Sequence, residues 1–169
     1  MKESTLFLSE QELQKLVKGL AKEINHEYKN IEDPLILICP LKGSLFFTAD
    51  LVRQLQVPFL LDFISIETKP QGNFYISKDI QIPLKNRQVL ILKEILNAGR
   101  KLLFLKKRIE ASSPATIKIA TLIDKPSQRQ LDLHSDFFGL STEDRYIFGY
   151  GLDHEEKFRN LRDLHVFTQ

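Results

Sequence analysis

An α/β domain with a mostly parallel sheet and helices on both faces is predicted by three features of this sequence. The apolar runs Leu35–Cys39 and Val89–Leu92 do not alternate with polar residues, which is the mark of strands covered on both sides. Segments of amphipathic helical spacing lie between such runs. Strand-like and helix-like stretches follow one another in turn, as they do when crossover helices link parallel strands.

The first element is a helix over 9–28. Ser9 and Glu12 stand at capping-box spacing. Leu13, Leu16, Val17, Leu20, Ala21, Ile24 and Tyr28 repeat every three or four residues and make one buried face. Residues 34–41 are the first strand, ended by Lys42-Gly43-Ser44. Ser44 is placed to cap a second helix running to about Leu55. Pro58 opens a strand over 59–66, and Pro70, Gly72 and Asn73 make 68–77 a loop, with a hairpin-like piece over 75–83. Residues 89–92 form a buried strand that leads into a polar loop and a helix over 100–111. After Pro114 comes a strand over 116–123, then short strands over 137–139 and 146–149 and a final edge strand over 164–168. In such sheets ligands sit beyond the carboxyl ends of the strands, which singles out the loops at 41–44, 93–101 and 124–126.

Bulk properties narrow the function. At 169 residues the chain is expected to be one domain. With 43% hydrophobic and 27% charged residues it has the make-up of a folded globule, not of a disordered chain. A formal charge of +2 gives no ground for nucleic-acid or membrane binding. The single cysteine, Cys39, lies in an apolar run and reads as a buried, inert thiol. No basic stretch followed by an apolar core opens the chain and no apolar run reaches membrane-spanning length, so a cytoplasmic protein is expected.

The loops singled out above carry a family likeness. Leu41-Lys42-Gly43-Ser44, Thr121-Leu122-Ile123-Asp124-Lys125-Pro126, Gly149-Tyr150-Gly151-Leu152-Asp153 and Lys157-Phe158-Arg159-Asn160-Leu161 resemble, in order, motifs of the hypoxanthine-guanine phosphoribosyltransferases. The match covers residues 8–167. It implies the type I phosphoribosyltransferase fold, with a core over about 8–125 and a small purine-binding hood over about 126–169. It also implies transfer of a ribosyl phosphate from phosphoribosyl pyrophosphate to hypoxanthine or guanine, with Mg²⁺ as cofactor, in a homo-oligomer (a dimer or tetramer). By the same likeness Lys42, Gly43 and Arg159 would hold pyrophosphate, across a cis bond expected between Lys42 and Gly43. Lys125, Tyr146 and Ile147 would bind the purine, and Asp153 with Glu94 would anchor magnesium. Lys125 would select a 6-oxo over a 6-amino group, because an ammonium has only donors to offer. Outside the likeness, Lys125 reads as a solvated charge, Asp153 as the cap of a helix starting near His154, Tyr146 as core and Arg159 as a surface ion-pair partner.

One loop departs from the family pattern of two acids, two apolar residues, Asp-Thr-Gly and a further hydroxyl. Here it reads Lys93-Glu94-Ile95-Leu96-Asn97-Ala98-Gly99-Arg100-Lys101. Lys93 stands where an acid would meet the ribose hydroxyls, and Glu94 is the acid that remains. Asn97 replaces the proposed general base and cannot take up a proton near neutral pH. Ala98, Gly99, Arg100 and Lys101 make up the 5′-phosphate loop, in which Ala98 and Lys101 have lost hydroxyls while Gly99 opens a helix N-terminus able to cradle an anion. The stretch 67–73 also lacks the Ser-Tyr pair of the family's closing loop and is shorter. Three readings follow: a slow purine phosphoribosyltransferase, a non-catalytic relative that binds a purine nucleotide or pyrophosphate, and a structural domain without ligand. An ion pair between Lys93 and Glu94 or Asp153 would block the ribose and magnesium subsites and so favours the second over the first.

Overall fold

The computed structural model describes residues 3–143 and 145–168; residues 1, 2, 144 and 169 of the expected domain lie outside that description. The chain forms β1 (Ser4–Leu8), α1 (Glu10–Glu27), β2 (Leu35–Leu41), α2 (Leu45–Val52), β3 (Phe59–Thr68) and β4 (Phe74–Lys78). It continues through β5 (Gln88–Leu96), α3 (Arg100–Glu110), β6 (Thr116–Asp124), a 3₁₀ turn (Pro126–Gln128), β7 (Phe137–Ser141), β8 (Ile147–Phe148) and β9 (Leu164–Phe167). The main sheet has the order β4-β3-β2-β5-β6-β7. All its pairings are parallel except β3 with β4.

Burial on both faces follows from the unbroken apolar runs. In β2, Leu35 and Leu37 join one core while Ile36 and Ile38 join the other; in β5, Leu90 and Leu92 part from Val89 and Ile91 in the same way. The first core is closed by α1 and α2 through Leu13, Val17, Leu20, Phe47 and Leu51. The second is closed by α3 through Leu102, Leu105 and Ile109. Each such buried aliphatic stabilises the fold by about 1.5–3 kcal/mol relative to exposure. The expected face of α1 is the buried one, with Leu16 only partly covered. Its capping box forms in both directions, Glu12 accepting from the Ser9 backbone at 2.8 Å. Cys39 is fully buried, and desolvation pushes its thiol up to about 11.

Several boundaries differ from expectation, each for a tertiary reason. The loop expected over 68–77 is a hairpin turn of residues 69–73 only, because β3 and β4 pair up to Thr68 and Phe74. Gly72, at φ +86°, and the bond from Lys69 N to Asn73 O close that turn. β5 runs on through Lys93 and Glu94, since β6 continues to pair with it up to Leu96 and Asp124. The last strand is not an edge: β9 lies between β1 and β8 in a separate antiparallel sheet. β1 has no sequence signal of its own, being five largely exposed residues held by β9. This second sheet is layered with rings such as Phe148 and Phe167, whose centroids are 4.6 Å apart, and it does not coincide with the hood expected over 126–169, since it includes β1 while β7 joins the main sheet.

Candidate functional site

Residues at the carboxyl ends of β2 and β5 line one cleft with the 152–159 segment, and backbone bonds fix the neighbouring loops. Lys125 N–H donates to Leu96 O at 3.0 Å, tying the β6 loop to the β5 loop. Arg129 completes the tie. It is nearly buried and pairs with Asp124, while its other N–H groups reach Leu133 O and, at 3.0 Å, Asn97 O. Sequence reasoning missed Arg129, because nothing in the run Ser127–Gln130 distinguishes it from a surface cation.

The loop between β2 and α2 packs with unusual closeness. A cis peptide joins Leu41 to Lys42, one bond before the expected place; neither residue is proline, so no local signal marks it. A Cβ on Gly43 would lie 2.5 Å from Glu94 Oε1 and 2.9 Å from its Cδ. The group that closes on Gly43 is therefore the Glu94 carboxylate. Gly151, at φ +96°, presses on the other side, where a Cβ would run into the Gly43 carbonyl. Ser44 does not cap α2; its hydroxyl donates to Glu94 Oε2 instead. A buried carboxylate left short of a donor costs more than a helix end that water can reach, so the hydroxyl goes to Glu94.

Glu94 is 6% exposed, and its other oxygen, Oε1, is held by the Lys93 ammonium. Across the cleft Asp153 is engaged in the same way. Its Oδ1 pairs with Arg159 at 2.8 Å, and its Oδ2 accepts the Glu156 N–H at 2.9 Å. No helix starts near His154, so Asp153 caps a turn there and not the expected helix. Four non-glycine residues between 150 and 158, Tyr150, Glu155, Glu156 and Phe158, hold positive φ, so this segment is bent tightly against the site. Glu156 bridges Lys42 at 2.7 Å and Arg159 at 3.0 Å. The Lys42 hydrogen bond, with Arg159 beside it, holds the Glu156 carboxyl below its usual range. A carboxylate caught between two cations marks where an anion is welcome.

These groups line a cleft of about 190 Å³ with Lys42, Lys93, Lys101 and Arg159 as its cations and Glu94 and Asp153 as its acids. That is smaller than the several hundred Å³ usual for a whole small-molecule ligand and suits a phosphate-sized group. Asn97 and Arg100 are exposed, Ala98 and Gly99 half-buried. Gly99, at φ +85°, heads α3 and leaves the first-turn N–H groups without a side-chain cap. Arg100 points away, its guanidinium 6.0 Å from the centre of the Phe74 ring.

Lys125 is not a solvated charge: it is 3% exposed, and its ammonium donates to Arg145 O. That places it against the segment carrying Tyr146 and Ile147. Tyr146 is more than half exposed and not core; its hydroxyl donates to Asp153 O at 3.0 Å. Ile147 is buried in β8. Tyr146, Asp153, Arg159, Glu156 and Lys42 thus form one continuous chain of contacts from the β8 segment to the β2 loop.

The magnesium expectation rested on Asp153 and Glu94, and the donor set does not fit it. All four carboxylate oxygens already face a donor of the chain itself. Among the described residues no three His, Cys, Asp or Glu side chains cluster as metal ligands. No helix of the described residues is long and apolar enough to cross a membrane.

The fold is shared with known proteins. The phosphoribosyl transferase domain model matches residues 5–157. The hypoxanthine-guanine phosphoribosyltransferase of Bacillus subtilis is 36% identical over 161 residues, covering 92% of this chain and 88% of its own length. A crystal structure of such an enzyme from Bacillus anthracis, with HEPES in its active site, superposes with a TM-score of 0.90 at 34% identity, covering 98% and 97% of the two chains. The hypoxanthine phosphoribosyltransferase of Trypanosoma cruzi, as a point mutant in a ternary substrates complex, gives 0.92 at 29% identity, covering 99% and 96%.

Proposed function

This chain belongs to the hypoxanthine-guanine phosphoribosyltransferase family, and from that premise we propose that it is a slow purine phosphoribosyltransferase for hypoxanthine or guanine. The products are IMP or GMP and pyrophosphate. The observation that carries the reading is the buried Lys125 ammonium beside the Arg145–Ile147 segment. A donor-only group there pairs with a 6-oxo group and rejects a 6-amino group. Tyr146 offers an exposed ring for the base to stack on, and the Ile147 backbone borders the same place.

In the transfer, the bond from the ribose anomeric carbon to pyrophosphate breaks and a bond to a ring nitrogen of the base forms. Lys42, Arg159 and the Gly43 loop are the groups set to take up the charge on departing pyrophosphate. The uncapped Gly99 end of α3, with Lys101 at the cleft, would receive the 5′-phosphate. The proton lost from the base goes to water, since Asn97 can accept a hydrogen bond through Oδ1 but not a proton. No step is assigned to a metal ion, because Asp153 and Glu94 are both taken.

A second reading, binding of a purine nucleotide without turnover, is favoured by one observation: Lys93 is paired with Glu94 where ribose hydroxyls would be met. An assembly of several copies is supported by the exposed Leu45 and Phe46 on α2. Nucleotide formation from hypoxanthine or guanine and phosphoribosyl pyrophosphate, with calorimetric titration of GMP beside it, separates the readings. Turnover lost in Lys125→Ala is the expected result. GMP binding without turnover leaves the second reading, and neither removes both.

A further inference from the structure

Building on that reading, we propose that Lys93 is a built-in cation of the site, so that this protein binds pyrophosphate without a divalent metal. Three observations converge. The cleft sets four cations against two carboxylates, so it is positive before any metal enters. Every oxygen of both carboxylates already faces a donor of the chain: Lys93 and Ser44 hold Glu94, while Arg159 and the Glu156 N–H hold Asp153. The Glu94 carboxylate is also walled in by Gly43, with no room for even a methyl group between them.

A divalent ion usually serves such a site in two ways. It cancels acidic side chains, and it meets the oxygens of an anionic ligand. Lys93 does the first by pairing with Glu94. It is suited to the second because its ammonium carries three donors, of which Glu94 uses one, and its side chain remains 22% exposed at the cleft. Entry of Mg²⁺ would require breaking the Lys93–Glu94 pair and leaving the ammonium beside a dication. Like charges at contact distance repel strongly even at intermediate dielectric. Inorganic pyrophosphate brings no positive charge toward Lys93 and can take the place of Glu156 on Lys42 and Arg159.

The test is titration of inorganic pyrophosphate into the protein by calorimetry, in EDTA and in excess Mg²⁺, with GMP titrated in both buffers. Wild-type affinity for pyrophosphate should agree between buffers to about twofold. Lys93→Glu leaves three cations against three acids, and its affinity in EDTA should fall by about tenfold or more and recover with Mg²⁺. Lys93→Met, which keeps the stem without the charge, should show an intermediate loss. Mn²⁺ alone, followed by electron paramagnetic resonance, should stay free with wild type. Should Lys93→Glu fail to fold, the wild-type titrations and the Mn²⁺ signal still decide the matter. Wild-type pyrophosphate affinity that collapses in EDTA, or Mn²⁺ that binds stoichiometrically, overturns the proposal while GMP binding leaves the purine reading standing. Absence of binding by both ligands in both buffers overturns the two together.

Discussion

The two halves of the site differ in how their residues are held. On the side proposed for purine and pyrophosphate, Tyr146, Asp153, Arg159, Glu156 and Lys42 sit in a chain of hydrogen bonds and ion pairs that crosses from the β8 segment to the β2 loop, and Lys125 donates to the adjoining Arg145 O. On the side proposed for ribose phosphate, Asn97 and Lys101 are exposed and Arg100 turns toward Phe74. The one tight contact there, Lys93 with Glu94, commits the remaining acid to an internal partner. The charges of the first half are linked to one another across the cleft, while Asn97, Arg100 and Lys101 in the second stay at the surface.

If that contrast governs the rate, restoring the altered half should matter most. Lys93→Glu, Glu94→Asp, Asn97→Asp and Ala98→Thr together should raise the rate of nucleotide formation by about 10²–10⁴-fold, the span a general base typically supplies. Steady-state assays with guanine check this, and an unchanged rate would move the limit to the short 69–73 turn.

Arg129 is the tie between the halves. Arg129→Ala strips the nearly buried Asp124 of its cation and frees two carbonyls, so it should cost about 3–5 kcal/mol in urea unfolding. A loss under about 1 kcal/mol would show that the loops hold each other without it. In the intact half, Lys125→Ala should weaken GMP by about 1.5–3 kcal/mol, the contribution of a hydrogen bond to a charged group. It should also erase the preference of GMP over AMP, and equal affinities already in wild type would contradict the role given to Lys125.

The smallest effect lies outside both halves and serves as a control. Asp62 in β3 is desolvated, which works to raise its pKa, but the N–H groups of Ile82, Gln81 and Phe63 and the Lys78 ammonium outweigh this and lower it. A carboxyl whose folded pKa is depressed adds stability above its unfolded value of about 3.9, and that stability is lost as pH falls through the folded value. Unfolding free energy should therefore drop below about pH 4, and Asp62→Asn should flatten the drop while costing about 1–3 kcal/mol at neutral pH. GMP affinity should not change.

Much of the molecule was legible in the chain itself. The unbroken runs Leu35–Cys39 and Val89–Leu92 announced strands buried on both faces, and the Ser9–Glu12 pair with its three-four apolar spacing announced α1. These signals are local, since a strand's surroundings and a helix's cap leave their marks on neighbouring residues. The motif order also placed Lys42, Lys125, Asp153 and Arg159 at one family's loops. Tertiary structure alone decided the rest. That Ser44 serves Glu94 and not its own helix, that Gly43 makes room for that carboxylate, and that Arg129 staples two loops all depend on contacts between residues 32 or more positions apart. The same holds for β1, a weak strand fixed only by β9 from the far end of the chain. Sequence spacing sets what a residue can be; which charge it must answer is set by the neighbours that folding brings to it.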